Sequence, residues 1–126
     1  MRLNQVTLPA LDVAASVAFY RTMGFEAIVD ERHYARFKST VGEATFSVHA
    51  VDALPERNDT VVYFECDALD AQVAELQRRG IRFTQLPRDE TWLWREARLL
   101  DPSNNTICLY YAGVNRLEPP WRVRTP

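Results

Sequence analysis

The order of local signals along this chain is written twice, and that repetition restricts the fold more than any single motif. Leu3 to Leu11 reads as a strand, with Leu3, Gln5 and Thr7 on one face and Val6 and Leu8 on the other. Asp12 then suits a helix N-cap. The stretch from Val13 to Met23 sets Val13, Val17 and Tyr20 along one helical stripe, with Phe19 and Met23 beside it, and Gly24 supplies the stop. Three short β-like runs follow, Phe25 to Asp30, Tyr34 to Thr40 and Ala44 to Ala50. The second half repeats this sequence of signals. Thr60 to Cys66 is strand-like, Asp67 is the capping candidate, and Leu69, Val73 and Leu76 line a helix that ends at Gly80. Ile81 to Leu86, Trp92 to Leu100 and Thr106 to Tyr111 give three more strands, the last two joined by a turn at Asp101-Pro102-Ser103-Asn104-Asn105.

A single β-α-β-β-β unit has one helix and can cover only one face of its sheet, so two such units are expected to shelter what one leaves open. The predicted class is α+β, with two βαβββ modules in tandem forming a curved, partly open eight-stranded sheet around a cavity. One domain takes in residues 1–126: module one over 1–54, module two over 55–113, and an extended, proline-containing tail over 114–126. Val51 to Asp59, with Pro55, is the natural linker, and Trp121 is expected to anchor the tail on the domain or across a dimer. A chain of 126 residues is long enough to bury a core without staples.

Charge and composition remove whole classes of function. Fifteen basic residues against seventeen acidic ones leave a net charge of −2 with no basic patch, so nucleic acid is not an expected partner. No apolar run approaches the roughly 20 residues of a membrane helix, and Met1 to Gln5 lacks the apolar stretch of a signal peptide. A cytoplasmic protein is expected. Cys66 and Cys108 have no C-x-x-C spacing and read as buried free thiols.

The cavity is where function is expected. Alternation on the first and last strands of each half turns inward Gln5, Thr7, Thr45, Ser47, His49, Val61, Tyr63, Glu65, Thr106, Cys108 and Tyr110. Such a mixture of hydroxyls, an amide, one carboxylate and two phenols suits a neutral or weakly cationic organic ligand. In Thr91 to Arg98 the same alternation sends Trp92, Trp94, Glu96 and Arg98 to one face, which predicts a stacking wall for a planar ligand with polar anchors at its edge. Packing of the two Trp against the second helix or another subunit is the alternative. A nucleophile elbow, a phosphate-cradling glycine loop and an H-E-x-x-H zinc motif are all lacking.

Three segments carry a family resemblance: Asp12 to Tyr20 followed by Gly24-Phe25, the helix closing at Gly80-Ile81, and Asp101 to Leu109. Together they resemble the vicinal oxygen chelate superfamily of glyoxalases, extradiol-type dioxygenases and bleomycin-resistance binding proteins, over nearly the whole chain. Asn104 stands where that pattern has Gly, and Asn tolerates the left-handed backbone there. The resemblance implies metal-ligand positions at Gln5, Ser47, Val61 and Cys108. Three of these carry a hydroxyl, an alkyl group and a thiol where carboxylate or imidazole is expected. A relocated set of Gln5, His49 and Glu65 is a second possibility, and a Cys108-His49 nucleophile pair a third, although a Cys in an apolar strand usually belongs to the core.

The expectation is therefore a metal-independent small-molecule binding protein without a cofactor, sequestering an aromatic or drug-like ligand. Similarity of Trp94 to Pro102 to bleomycin-resistance proteins points the same way, and the resemblance also implies a homodimer. The alternatives are a glyoxalase-like lyase, isomerase or dioxygenase with a relocated metal or with His49 or Glu65 as general base, and a non-catalytic interaction module whose cavity is filled by its own side chains.

Overall fold

In the computed structural model, which describes residues 1–39 and 41–124, the tandem βαβββ order is present. The first repeat is β1 (Gln5–Ala10), α1 (Val13–Thr22), β2 (Glu26–Asp30), β3 (Tyr34–Lys38) and β4 (Thr45–Ala50). The second is β5 (Val61–Glu65), α2 (Leu69–Arg78), β6 (Gln85–Asp89), β7 (Arg95–Leu100) and β8 (Thr106–Tyr111). The strands form two four-stranded sheets of matching topology, ordered β1-β4-β3-β2 and β5-β8-β7-β6, each with its first and last strands parallel. Thr40, expected to end β3, lies outside the described residues.

Two compact units result. The first comprises Met1–Thr60 together with Leu100–Asn105, and the second comprises Val61–Leu99 and Thr106–Pro126. In the first unit α1 begins as expected, the Asp12 carboxylate accepting the Ala15 N–H at 3.1 Å. It ends in a Schellman motif at Gly24, whose φ of 104° is cheap only for glycine; Gly24 N–H reaches Arg21 C=O and Phe25 N–H reaches Tyr20 C=O. The second helix ends in the same way, with Gly80 at φ 91° and Ile81 N–H bonded to Leu76 C=O.

The core of the first unit is aromatic. Tyr20 sits 5.1 Å from Phe37 and 4.9 Å from Phe46, ring centre to ring centre, and Phe37 stacks on Phe46 at 5.0 Å. The Asp101 carboxylate is buried in the same unit. It accepts from the Tyr20 hydroxyl at 2.6 Å, from the Ser103 and Asn105 N–H groups at 2.9 Å, and from the Asn105 side-chain amide at 2.8 Å. Asn104 takes the left-handed conformation, at φ 63°. The second unit has an aliphatic core that includes Leu76, Val73, Leu99, Ile107 and Leu109.

Four expectations need correction. Asp67 does not cap α2: Ala68 occupies the N-cap and has no side-chain acceptor to offer. The strand expected over Ile81 to Leu86 is displaced to Gln85–Asp89, because Ile81 is drawn into the helix-terminating motif and buried, and sheet pairing with β7 starts only near Thr84. The strand expected from Trp92 begins at Arg95, because Leu93 adopts φ 66° in a turn closed by Glu90 N–H to Trp94 C=O. The tail opens with a 3-10 turn at Gly113–Arg116, and Trp121 is 57% exposed on its own chain. Thr125 and Pro126 lie outside the described residues.

Candidate functional site

In the first unit, the sheet face away from the Tyr20-Phe37-Phe46 core is polar and internally bonded. The parallel register of β1 and β4 pairs Gln5 with Thr45, Thr7 with Ser47 and Pro9 with His49, so the predicted side chains share one face. Thr7 and Ser47 hydroxyls lie 2.7 Å apart, the Gln5 amide donates to Ser47 at 3.2 Å, and Thr45 donates to the Gln5 carbonyl oxygen. Ser47 is fully buried, and these bonds satisfy it. His49 is exposed and makes no hydrogen bond or ion pair among the described residues.

Two members of this face escaped the sequence reading. Tyr34 and Arg36 on β3 lie opposite His49 and Ser47. The Tyr34 hydroxyl accepts from Arg36 Nε at 2.9 Å and from the Gln5 amide at 3.3 Å. Hydrogen bonding from Ser47 first, then from Arg36 and Gln5, holds the Tyr34 phenol below its ordinary pKa against the opposing effect of burial. The alternation Tyr34-Ala35-Arg36-Phe37 carries the signal, but the inward set expected from the sequence takes in only the first and last strands of each half.

In the second unit, Trp94 stacks on Tyr110 at 4.6 Å with an interplanar angle of 18°, and Tyr63 meets both edge-on, at 5.9 and 5.6 Å. Cys108, Tyr110 and Ala112 form a small buried cluster beneath, with Val61 and Trp94 packed on it. No ring contact joins Trp92 to Trp94 among the described residues; a left-handed residue, Leu93, lies between them, and Trp92 Nε1 donates to Glu96 at 2.6 Å. Glu96, buried at 1% exposure, also accepts from Arg98 at 3.0 Å and from the Cys108 thiol at 3.4 Å, so its charge is paired within the unit. Glu65 accepts from the Ala112 and Gly113 N–H groups at 2.8 and 3.0 Å and lies 3.7 Å from Arg116.

The donors at the four implied ligand positions do not fit a divalent cation. The Gln5 oxygen is taken by the Thr45 hydroxyl and the Ser47 oxygen by the Gln5 amide and the Thr7 hydroxyl, Val61 has no donor atom, and the Cys108 thiol is held protonated. In the relocated set, the Gln5 oxygen accepts from Thr45 and Glu65 is committed to the backbone at Ala112. Among the described residues no three His, Cys, Asp or Glu side chains are grouped to hold a metal ion.

The thiols carry a pH consequence. Burial, followed by the Glu96 carboxylate, pushes Cys108 from 9.0 up to about 12, and burial with Asp67 and Glu65 pushes Cys66 up to about 11. Neither is a nucleophile at neutral pH. Because the folded-state values lie above the unfolded one, this contribution to stability is complete below pH 9.0 and is lost as pH rises toward about 12. The urea midpoint should fall progressively above about pH 9 and fall less steeply in Cys108→Ala; equal slopes for the two proteins would contradict the assignment.

An open hollow of about 650 Å³ in the first unit, lined by Asp12, Asp30, Glu31, Arg32, His33 and Asp52 among others, contains none of the predicted site residues. Among the described residues no helix is long and apolar enough to cross a membrane.

No curated protein matches the sequence. Solved structures do resemble the fold. A glyoxalase/bleomycin resistance protein/dioxygenase from Nocardioides has a TM-score of 0.75 at 23% identity, covering 98% of this chain and 90% of that one. A bleomycin-binding protein complexed with bleomycin has a TM-score of 0.74 at 19% identity, covering 88% and 98%. A lactoylglutathione lyase from Agrobacterium tumefaciens has a TM-score of 0.73 at 18% identity, covering 90% and 95%. The sequence pattern of the Glyoxalase/Bleomycin resistance protein/Dioxygenase superfamily matches residues 2–109, and with the paired βαβββ units it shows that the chain belongs to that superfamily.

Proposed function

We propose that the protein binds a small, planar aromatic or drug-like molecule without a metal ion, using Tyr63 and Trp94 as its stacking surface. The observation that carries this reading is the ring assembly of the second unit: Trp94 is held rigidly on Tyr110 while the Tyr63 ring beside it remains 45% exposed. Pre-positioned aromatic surface binds at low entropic cost because few rotors are left to freeze. The ill-matched donors at the implied ligand positions support metal independence, and the similar bleomycin-binding protein, solved with its drug, shows that this fold can hold a small molecule. The same reading makes the protein a cytoplasmic homodimer without nucleic-acid or membrane partners. Support comes from the net charge of −2 with no basic cluster and from Trp121, an exposed indole suited to cover by a second copy.

Fluorescence titration of the full chain with planar aromatic compounds, in excess EDTA, tests the proposal. Saturable quenching is expected, with Trp94→Ala weakening the affinity at least about tenfold, as loss of a stacking contact of roughly 1.4 kcal/mol requires. A second reading has one observation in its favour: Tyr63, Trp94 and Tyr110 already contact each other, as in a face filled by its own side chains. Absence of saturable quenching would favour that reading, and binding that appears only when a divalent metal is restored would favour the metal-dependent lyase, isomerase or dioxygenase.

A further inference from the structure

We infer that Arg36 and Tyr34 form a carboxylate-binding site on the open face of the first sheet. Arg36 is half-buried and has no acidic partner among the described residues, whereas Lys38 on the same strand is matched by Glu26 at 3.8 Å. A guanidinium withdrawn from water without a carboxylate is uncommon, because its desolvation is left uncompensated. Its orientation is nevertheless fixed. Nε donates to the Tyr34 hydroxyl at 2.9 Å, and the guanidinium carbon lies 5.4 Å from the Tyr34 ring centre. With Nε engaged, the two Nη groups remain as a planar pair of donors, the geometry that matches both oxygens of a carboxylate.

Tyr34 adds to this. Its oxygen accepts from Arg36 and from Gln5, so the ring and hydroxyl hold Nε in place and leave the Nη pair to face an incoming anion. Of the other polar groups around the pair, Gln5, Thr7, Thr45 and Ser47 are bonded to one another, His49 lies opposite Tyr34, and β4 brings no carboxylate to this face. A fixed guanidinium with its Nη pair uncommitted, on a face where the Glu26 carboxylate is matched by Lys38, selects for a singly charged planar anion. A divalent cation or a basic ligand would meet Arg36 as a like charge. The site lies wholly within the first unit, so it stands whether or not the rings of the second unit hold a ligand.

The test uses benzoate and its neutral isostere benzamide, followed by NMR on the isotopically labelled full chain. Benzoate should shift the Arg36 Nε and Tyr34 ring signals saturably, and benzamide should leave them unmoved. Arg36→Gln should weaken benzoate binding at least about tenfold. Arg36→Lys, which keeps the charge but loses the fork, should weaken it about threefold, as should Tyr34→Phe. Trp94→Ala should leave the benzoate response of Arg36 unchanged, so loss of aromatic stacking and loss of this site are read separately. Equal responses to benzoate and benzamide, or affinity for benzoate within twofold of the parent in Arg36→Gln, would overturn the inference. If Arg36→Gln does not fold, Arg36→Lys decides, and parent-like benzoate affinity in that variant would count against a bidentate site.

Discussion

Replacing Asp101 by alanine should lower the stability of the first unit by about 4 kcal/mol or more, enough to leave many domains unfolded. The carboxylate is 3% exposed and accepts four hydrogen bonds, and its removal strands the Tyr20 hydroxyl, two backbone N–H groups and the Asn105 amide in a dry interior. Each orphaned donor costs about 1–3 kcal/mol, and partial entry of water keeps the total below the simple sum. Tyr20→Phe removes only one of the four bonds and should cost about 1 kcal/mol. Asp101→Asn keeps the shape but turns an amide donor toward donors, and should fall between the two. Urea unfolding by circular dichroism measures all three, and an Asp101→Ala protein within 1 kcal/mol of the parent by that measure would show that the buried carboxylate is not structural.

Phe37→Ala should cost about 3–5 kcal/mol, as the removal of a wholly buried ring does. Phe37 is 0% exposed and packs on both Tyr20 and Phe46, each of which would lose one of its aromatic neighbours. Phe37→Leu preserves most of the volume and should cost about 1 kcal/mol. Trp92, Trp94 and Trp121 all belong to the second unit. Tryptophan fluorescence therefore reports that unit alone, whereas circular dichroism reports both. In Phe37→Ala the two transitions should separate, with fluorescence lagging; coincident transitions with parent-like midpoints would refute the assignment of the core.

Much of this architecture could be read from single residues whose effect is local. Asp12, Gly24, Gly80 and Asn104 each act on backbone atoms a few positions away, and all four behave as their chemistry dictates. Asp67 fails because helix α2 starts one residue later than the capping pattern requires, a choice left open by the sequence between Cys66 and Leu69. Period-two alternation placed Gln5, Thr7 and Ser47 together, since both strands are regular and in register. The same rule ran the strand too far back, to Trp92, because one left-handed residue at Leu93 interrupts the alternation and nothing in Trp-Leu-Trp announces it, although Trp92 still reaches Glu96. Tyr34 and Arg36 were visible as residues, but only the pairing of β3 with β4 sets them beside Ser47.

The carboxylate at Asp101, the Ser103 hydroxyl that receives the Leu11 N–H, and the Asn105 amide bonded to Pro9 lie 81 to 96 positions downstream of the groups they satisfy. On the ribosome, a nascent chain that has emerged as far as Arg57 already carries β1 to β4 and α1 but still lacks this distant segment. The first repeat to be translated thus has to wait for most of the second before its interior can close. Its folding rate should be set by that long loop closure rather than by the short hairpins around it.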